Sequence, residues 1–142
     1  NQSPFTITDK RMTRFNITLD EASNFVINCM KKMKGKEVFI PKLPSYDLNT
    51  LVKSINPNKK VKIIGIRTGE KLHEELISAA DFGNTLEYKD SFIIYPMGIN
   101  TKKKINLKID LKKSYNSYDN RDFLSIKNLS NLIKSQLKNF NK

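Results

Sequence analysis

Short apolar runs that favour β-strands alternate along this chain with segments whose apolar residues recur at helical spacing. Four runs are interpreted as strands, at residues 3–9, 37–40, 61–66 and 91–95. Four helical patterns separate or follow them, beginning near Thr18, Ser45, Lys71 and Ser125. An alternation of this kind predicts an α/β fold without internal repeats. The length of 142 residues suits one compact region over residues 1–142.

The run Glu37-Val38-Phe39-Ile40 adds a constraint, because the three residues after Glu37 are all apolar. A strand that is apolar on both faces is typical of a sheet that is covered on both sides. A chain of this length offers few neighbours for such a strand. We therefore expect its sheet partners to lie in another half of the protein, which would make the present chain a fragment.

The net charge of +12 raises the question of nucleic-acid binding. Lysine supplies 22 of the 26 basic residues, whereas proteins that read nucleic acids usually concentrate arginine for phosphate and base contacts. The densest basic run, residues 102–104, contains no aromatic residue on which a base could stack. We expect no nucleic-acid partner, and a basic nucleic-acid-binding module is kept as the alternative from another functional class.

Cysteine content and hydropathy bear on the compartment. The single cysteine, Cys29, cannot form a disulfide framework, and a reducing cytoplasm is the expected location. No apolar run approaches the roughly 20 residues that a membrane-spanning helix needs, so no membrane association is expected.

The chain has few residues that could carry out catalysis. Its only histidine, His73, lies beside several glutamates, and a surface or helix-contact role is favoured over that of a general base. The sequence contains no Gly-x-Ser-x-Gly motif, no P-loop, no metal-ligand cluster and no Gly-x-Gly-x-x-Gly dinucleotide turn. We therefore predict no catalytic residue and no metal site in this chain.

Anion binding has stronger support, from the stretch GIRTGEKLHEE at residues 65–75. Gly65 and Gly69 allow a tight turn and a close approach of the backbone to a ligand. Arg67 lies between them and is one of only four arginines in a lysine-rich chain. Its planar guanidinium is therefore a candidate for a phosphate contact. A helix predicted over residues 71–78 would add the positive end of its dipole.

Arg14 is the second candidate, because it is predicted to lie between a strand and the start of the helix after Thr18. Two arginines on two such turns could bind one diphosphate from both sides. In the alternative interpretation, Arg67 pairs with Glu70 on the surface. Arg14 would likewise pair with Asp9. The residues alone leave these two interpretations equally supported.

Four segments occur in the same order in a known family: MTRFNITLDEASNFV, EVFIPKLPSYDLNTLV, KIIGIRTGEKLHEELIS and YNSYDNRDFLS. Over essentially its whole length the chain resembles the C-terminal part of the inverting UDP-N-acetylglucosamine 4,6-dehydratases, which are extended short-chain dehydrogenase/reductases. The resemblance implies a substrate-binding region whose residues 37–40 add an edge strand to a Rossmann sheet in the other half. It also implies that NADP and a catalytic Tyr/Lys pair belong to that other half, upstream of this chain.

The resemblance implies roles for individual residues by their position. Arg14 and Arg67 would bind the diphosphate of the UDP-sugar, and Glu70 would reach the uridine ribose. Family members usually have proline where this chain has Thr68, and the loss of the fixed φ of proline is expected to loosen the loop. The segment with Tyr115 and Asn116 is similar to the family's tail, and whether it contacts substrate or another subunit is left open.

The activity implied is the dehydration of UDP-N-acetylglucosamine that opens pseudaminic acid synthesis. NADP would oxidise C4, water would be lost across C5 and C6, and hydride would return to C6 with inversion at C5. A related dehydratase or epimerase for capsule or O-antigen sugars is the nearest alternative. The whole protein is expected to be a homo-oligomer, and the present chain alone is expected to be inactive and poorly stable.

Overall fold

The computed structural model describes residues 3–97 and 114–140. These residues form two compact units, each assembled from separate stretches of the chain. The first unit comprises residues 3–16, 44–74 and 117–140, and the second comprises residues 17–43, 75–97 and 114–116.

The described elements are short strands and three helices, which confirms the predicted α/β class. In chain order they are β1 (Phe5–Ile7), β2 (Thr13–Phe15), α1 (Leu19–Lys32), β3 (Val38–Pro41), β4 (Ser45–Asp47), α2 (Leu48–Ile55), β5 (Val61–Ile63), β6 (Glu75–Ile77), β7 (Thr85–Glu87), β8 (Ser91–Ile94), β9 (Tyr115–Asn116) and α3 (Ile126–Phe140). A 3-10 turn at Phe82–Asn84 precedes β7.

In the first unit, the strands form two separate pairs. β1 and β5 run parallel, with Phe5 opposite Val61. β2 and β4 run antiparallel, which places Arg14 opposite Tyr46. Pairs of three-residue strands bury little surface by themselves, so the positions of these strands depend on the loops and helices attached to them.

Helices α2 and α3 pack against each other in the first unit. The carboxylate of Asp47 caps α2 by accepting the backbone N–H of Thr50 at 2.8 Å. The helix begins after Asp47 rather than near Ser45, because Ser45 and its neighbours pair with β2. The buried apolar side chains of this unit are Ile7, Met12, Val52 and Leu129.

The second unit contains a three-stranded antiparallel sheet in the order β3, β8, β7. β6 and β9 form a separate antiparallel pair. The core of this unit consists of three buried side chains with three half-buried ones packed against them: Ile77, Phe82 and Phe92, then Ile40, Ile94 and Tyr115.

Helix α1 begins where the sequence predicts. The hydroxyl of Thr18 accepts the N–H of Glu21 at 3.2 Å, and the Glu21 carboxylate accepts the N–H of Thr18 at 2.8 Å. This is a complete capping box. No side chain of α1 is buried, and Leu19 is 74% exposed. None of the helices in residues 3–97 and 114–140 has the length and apolar character needed to cross a membrane.

The expectation that residues 37–40 lack neighbours in this chain is wrong. β3 pairs along its whole length with β8, so that Phe39 lies opposite Ile93. The antiparallel pairing of β7 with β8 builds a sheet edge on which β3 can add. The apolar pattern is explained in part by this pairing. That β3 also joins a Rossmann sheet outside this chain stays a prediction.

The helix predicted over residues 71–78 is also wrong. The chain instead turns at residues 72–73 and continues into β6. The carbonyl of Leu72 accepts the N–H of Thr13 at 3.1 Å, and the N–H of Glu74 donates to the hydroxyl of Ser117 at 2.9 Å. Backbone groups that a helix would pair internally therefore bind other segments, and tertiary contacts override helix propensity.

The long polar loop predicted over residues 98–122 lies partly outside the described residues, which resume at residue 114. Within the described part, Tyr115 and Asn116 form β9 and pair with β6. This portion of the loop prediction is therefore wrong, because the same β6 that replaces the predicted helix supplies a partner strand.

The core of the second unit predicts the effect of removing one buried side chain. Ile77 is fully buried, whereas Ile55 is 55% exposed. Ile77→Ala should lower the free energy of unfolding by about 2–5 kcal/mol, because it leaves a cavity. Ile55→Ala is the matched control and should change it by no more than about 0.5 kcal/mol. Urea unfolding followed by circular dichroism measures both, and equal effects would contradict the assignment of the core.

Candidate anion-binding site

A glycine-framed loop follows β5 in the first unit. Gly65 and Gly69 have φ values of +85° and +84°, which side chains of L-residues rarely adopt. The N–H of Glu70, immediately after Gly69, donates to the carbonyl of Arg67 at 3.0 Å and closes a turn. The Glu70 carboxylate folds back and accepts the N–H of Arg67, also at 3.0 Å. The predicted tight turn is therefore present at this position.

Arg67 places an exposed cation on this loop. Its guanidinium makes no hydrogen bond or ion pair with any residue that the structure describes. Lys71, four residues further on, is also exposed. Since no helix begins here, the predicted contribution of a helix dipole is absent, and any attraction of an anion comes from side chains and backbone N–H groups.

Arg14 lies in a different environment, within β2 and upstream of α1. Its side chain is 22% exposed, and Nε is 3.4 Å from the Glu74 carboxylate. Nη1 donates to the carbonyls of Thr13 at 2.7 Å and Leu72 at 3.3 Å. Within residues 3–97 and 114–140, the one partner of Nη2 is the thioether of Met12, at 3.5 Å. Arg14 is thus attached to the segment that follows the Arg67 loop, although the two arginines do not touch.

The surface ion pairs considered as an alternative are not the ones that form. Asp9 pairs with Arg11, which donates Nε to Oδ1 at 3.0 Å and Nη2 to Oδ2 at 2.7 Å. These hydrogen bonds, with one from the Arg11 backbone, lower the pKa of Asp9 to about 2. Arg14 pairs with Glu74. Glu70 binds the backbone of Arg67, and the Arg67 guanidinium is left to solvent.

Three polar residues that the sequence did not mark as site residues meet beside Arg14. The buried hydroxyl of Thr13 lies 2.8 Å from Nδ1 of His73 and 2.7 Å from the hydroxyl of Ser117. The ring of Tyr118 lies beside His73, with centroids 4.6 Å apart. His73 is therefore half-buried in a polar network and lies on no helix. Its status as the only histidine was the one signal in the sequence.

Tyr115 and Asn116 belong to the second unit. The Tyr115 hydroxyl accepts the N–H of Leu43 at 2.8 Å and donates to the Leu43 carbonyl at 3.2 Å. Its ring packs on Phe92 with centroids 4.9 Å apart. The amide of Asn116 donates to the hydroxyl of Ser114 at 3.0 Å. These contacts support the fold of the unit, and a role of either residue in substrate or subunit contact stays a prediction.

Metal binding finds no support in the described ranges, 3–97 and 114–140. They contain no group of three or more histidine, cysteine or carboxylate side chains that could hold a metal ion. What the loop around Arg67 offers is an exposed guanidinium, an exposed lysine four residues further along the chain and a turn framed by two glycines. These groups bind anions, and they do not by themselves make or break covalent bonds.

Comparison with known proteins identifies a family and several similar proteins. A family model described as "Polysaccharide biosynthesis protein" matches residues 1–96. The chain is 39% identical over 137 residues to the UDP-N-acetylglucosamine 4,6-dehydratase (inverting) of Campylobacter jejuni subsp. jejuni serotype O:23/36 (strain 81-176), an alignment that covers 89% of this chain and 41% of the relative. The resemblance seen in the sequence is therefore confirmed.

Two further similar proteins, a curated relative and a solved structure, do not carry the dehydratase name. The chain is 28% identical over 148 residues to the UDP-glucose 4-epimerase of Rickettsia canadensis (strain McKiel), covering 94% of this chain and 43% of the relative. The X-ray structure of Pen from Bacillus thuringiensis superposes with a TM-score of 0.76 at 35% identity, covering 93% of this chain and 40% of that one. The chain thus spans about two fifths of the length of the proteins it matches.

The positive φ of Gly69 predicts a conformational cost for any side chain there. A Cβ on Gly69 would meet nothing within 4 Å, so Gly69→Ala should lower stability only through backbone strain, by about 1–2 kcal/mol. Gly83→Ala is the matched control, since Gly83 has the same open space without a positive φ, and it should be close to neutral. Thermal unfolding measures both variants. A neutral Gly69→Ala would contradict the turn geometry.

The Asp9–Arg11 pair predicts a titration. The pKa of Asp9 is lowered to about 2 from an ordinary 3.8, so its contribution to stability is present above about pH 4 and is lost as the pH falls through 2. In Arg11→Leu the pKa of Asp9 should rise toward 3.8, as followed by carboxyl-carbon NMR. Arg121→Leu should leave it unchanged. An Asp9 that titrates identically with and without Arg11 would rule out the pair in solution.

Proposed function

The chain belongs to the polysaccharide biosynthesis protein family, and from this premise we propose that it is the UDP-sugar-binding part of an inverting UDP-N-acetylglucosamine 4,6-dehydratase. The exposed guanidinium of Arg67, held on a glycine-framed loop without a partner in the described residues, is the observation that carries the proposal. The whole protein is an extended short-chain dehydrogenase/reductase in this proposal. Its substrate is UDP-N-acetylglucosamine.

Arg67 binds the diphosphate of the substrate. A guanidinium presents parallel N–H groups that match two phosphate oxygens, and such charge-assisted hydrogen bonds are among the stronger polar contacts in proteins. Because Arg67 has no competing acceptor among the described residues, binding does not require an existing ion pair to break. Lys71, four residues further along the chain, adds a second exposed positive charge, and it forms no ion pair with the residues that the structure describes.

Arg14 has a more restricted role. Two of its donor groups are already satisfied by the Leu72 and Thr13 carbonyls and by Glu74. Among the described residues, Nη2 contacts only the sulfur of Met12, a weak acceptor. This nitrogen is therefore the part of Arg14 that can exchange its partner for a phosphate oxygen, while the rest of the side chain holds the guanidinium in place.

Glu70 is suited to a hydroxyl ligand. Its Oε2 accepts the N–H of Arg67, and Oε1 has no hydrogen-bond partner in the described part of the chain. A carboxylate oxygen that is free in this way can accept a hydrogen bond from a ribose hydroxyl. The same carboxylate would then link the position of the ribose to the conformation of the Arg67 loop.

The chain binds and orients the substrate, and the rest of the protein carries out the reaction. NADP belongs outside these residues, because the sequence has no glycine-rich dinucleotide turn with which to hold it. The cofactor supplies hydride transfer when bound there. Diphosphate binding at a distance from the sugar ring fixes the ring for reaction, so contacts to Arg67 lower the barrier as well as the substrate KM.

The similarity to a UDP-glucose 4-epimerase supports a second candidate, a UDP-sugar epimerase or a dehydratase for capsule or O-antigen sugars. Both candidates require the same diphosphate contacts and differ in product. NMR of the product formed from UDP-N-acetylglucosamine by the whole protein distinguishes a 4-keto-6-deoxy sugar with an inverted C5 from a C4 epimer. Placement in pseudaminic acid synthesis, a cytoplasmic location and a homo-oligomeric state are part of the first proposal.

Loss of Arg67 tests the proposal. In the whole protein, Arg67→Ala should raise the Kd for UDP about 10- to 100-fold, because a charge-assisted hydrogen bond to the diphosphate is lost. The Kd of Arg67→Lys should lie between those of the wild type and Arg67→Ala, since lysine keeps the positive charge but lacks the parallel N–H donors of a guanidinium. Isothermal titration calorimetry provides the measurement.

Arg121→Ala is the matched control for charge, because Arg121 is an exposed arginine outside the loop, and its UDP affinity should equal that of the wild type. Normal UDP binding by Arg67→Ala would refute the proposed contact. Tight, steeply salt-dependent binding to RNA or DNA without preference for UDP would instead favour the nucleic-acid-binding alternative.

A further inference from the structure

Two buried hydroxyls tie three segments of the first unit together. Thr13 in β2 is 4% exposed and Ser117 is fully buried. The Thr13 hydroxyl contacts both Ser117 and Nδ1 of His73. Ser117 also accepts the N–H of Glu74 at 2.9 Å, and its own N–H donates to the Glu74 carbonyl at 2.8 Å. The junction therefore fixes the chain immediately downstream of the Arg67 loop.

The direction of these hydrogen bonds follows from the bond between the Glu74 N–H and the buried hydroxyl of Ser117. The N–H of Glu74 can only donate, so the Ser117 oxygen accepts from it. The Ser117 proton then has one acceptor among the described residues, the hydroxyl oxygen of Thr13. Thr13 in turn donates its proton to Nδ1 of His73. In this order every hydroxyl both accepts and donates, and Nδ1 of His73 is an acceptor.

The opposite direction leaves a buried group unsatisfied. If Nδ1 of His73 carried a proton, it would donate to Thr13, and Thr13 would have to donate to Ser117. The Ser117 hydroxyl proton would then have no acceptor within the described residues while being fully buried. Buried donors without partners are disfavoured. A proton-free Nδ1 is therefore part of the folded arrangement.

The junction also holds Arg14. The Leu72 carbonyl accepts from the Thr13 N–H at 3.1 Å and from Arg14 Nη1 at 3.3 Å. The Glu74 carboxylate lies 3.4 Å from Arg14 Nε. Residues 72, 73 and 74 are thus each bound by Thr13 or Arg14, so the loop that carries Arg67 is held between β5 at one end and this junction at the other.

We propose that His73 is a positioning residue for the anion-binding loop. Its proton-free Nδ1 accepts the Thr13 hydroxyl and holds residues 72–74 against β2, so that Arg67 and Arg14 bind one diphosphate together. His73 itself does not contact the substrate. This inference rests on the proposed function, because it takes the ligand of the loop to be the diphosphate of a UDP-sugar.

Two substitutions at position 73 test the role in the whole protein. His73→Gln removes the acceptor near the Nδ1 position and should raise the Kd for UDP about tenfold. His73→Asn places a carbonyl oxygen close to that position and should recover part of the affinity. In steady-state assays with UDP-N-acetylglucosamine, His73→Gln should raise KM by a larger factor than it lowers kcat.

The Thr13 hydroxyl provides an independent test of the same bond. Thr13→Val should weaken UDP binding as His73→Gln does, and the double variant should bind no more weakly than either single one, because both remove the same interaction. Thr85→Val is the matched control: it deletes an equally buried threonine hydroxyl in the second unit, 1% exposed. It should lower the thermal unfolding temperature and leave UDP affinity unchanged.

The tautomer of His73 can be measured directly, in a protein that still binds UDP. Nitrogen-15 NMR of the whole protein labelled in histidine, with the His73 signals identified by their absence in His73→Asn, should show protonated Nε2 and bare Nδ1 at neutral pH. A protonated Nδ1 would overturn the inference. So would wild-type UDP affinity in both Thr13→Val and His73→Gln while Arg67→Ala loses binding. Wild-type affinity in Arg67→Ala would instead overturn the proposed function itself.

Discussion

The carbonyl of Leu72 is the point on which the first unit's loop depends, because it accepts hydrogen bonds from both Thr13 and Arg14. The strands of this unit are three residues long and cannot fix a loop by pairing alone. The attachment of residues 72–74 to β2 fixes the loop in their place. It also uses backbone groups that a helix would need, so the same contacts that hold the loop exclude the helix.

The two candidate arginines differ in the hydrogen bonds and ion pairs that they already make within the protein. Arg14 is a structural member of the junction that also has one weakly bound nitrogen, whereas Arg67 has no partner in the described residues. A high net charge says little about where an anion would bind, because it comes mainly from lysines spread along the whole chain, 22 of the 26 basic residues. What singles out Arg67 is the combination of exposure, an unpaired guanidinium and a backbone turned by two glycines.

Local signals predicted local structure well, and long-range contacts decided the rest. The capping box at Thr18 and the turn around Arg67 depend on residues three or four apart, and both are present as predicted. The helix predicted over residues 71–78 does not form. Its helical pattern covers only a few residues, and backbone groups of residues 72 and 74 are hydrogen-bonded to distant segments instead. The polar junction could not be predicted at all, since Thr13 and Ser117 are 104 residues apart. The spacing of hydroxyl residues along the sequence does not indicate that these two side chains are in contact.

The loop's two glycines have a consequence for chirality. Their φ values are +84° and +85°, and a Cβ at either position would have nothing within 4 Å of it. The demand for glycine therefore comes from backbone rotation alone, without any crowding. Residues of D configuration prefer this region of φ, the mirror image of the one that L-residues prefer. The turn therefore resists L-alanine because of the handedness of its backbone, without any contribution from steric contact between the added Cβ and the described residues.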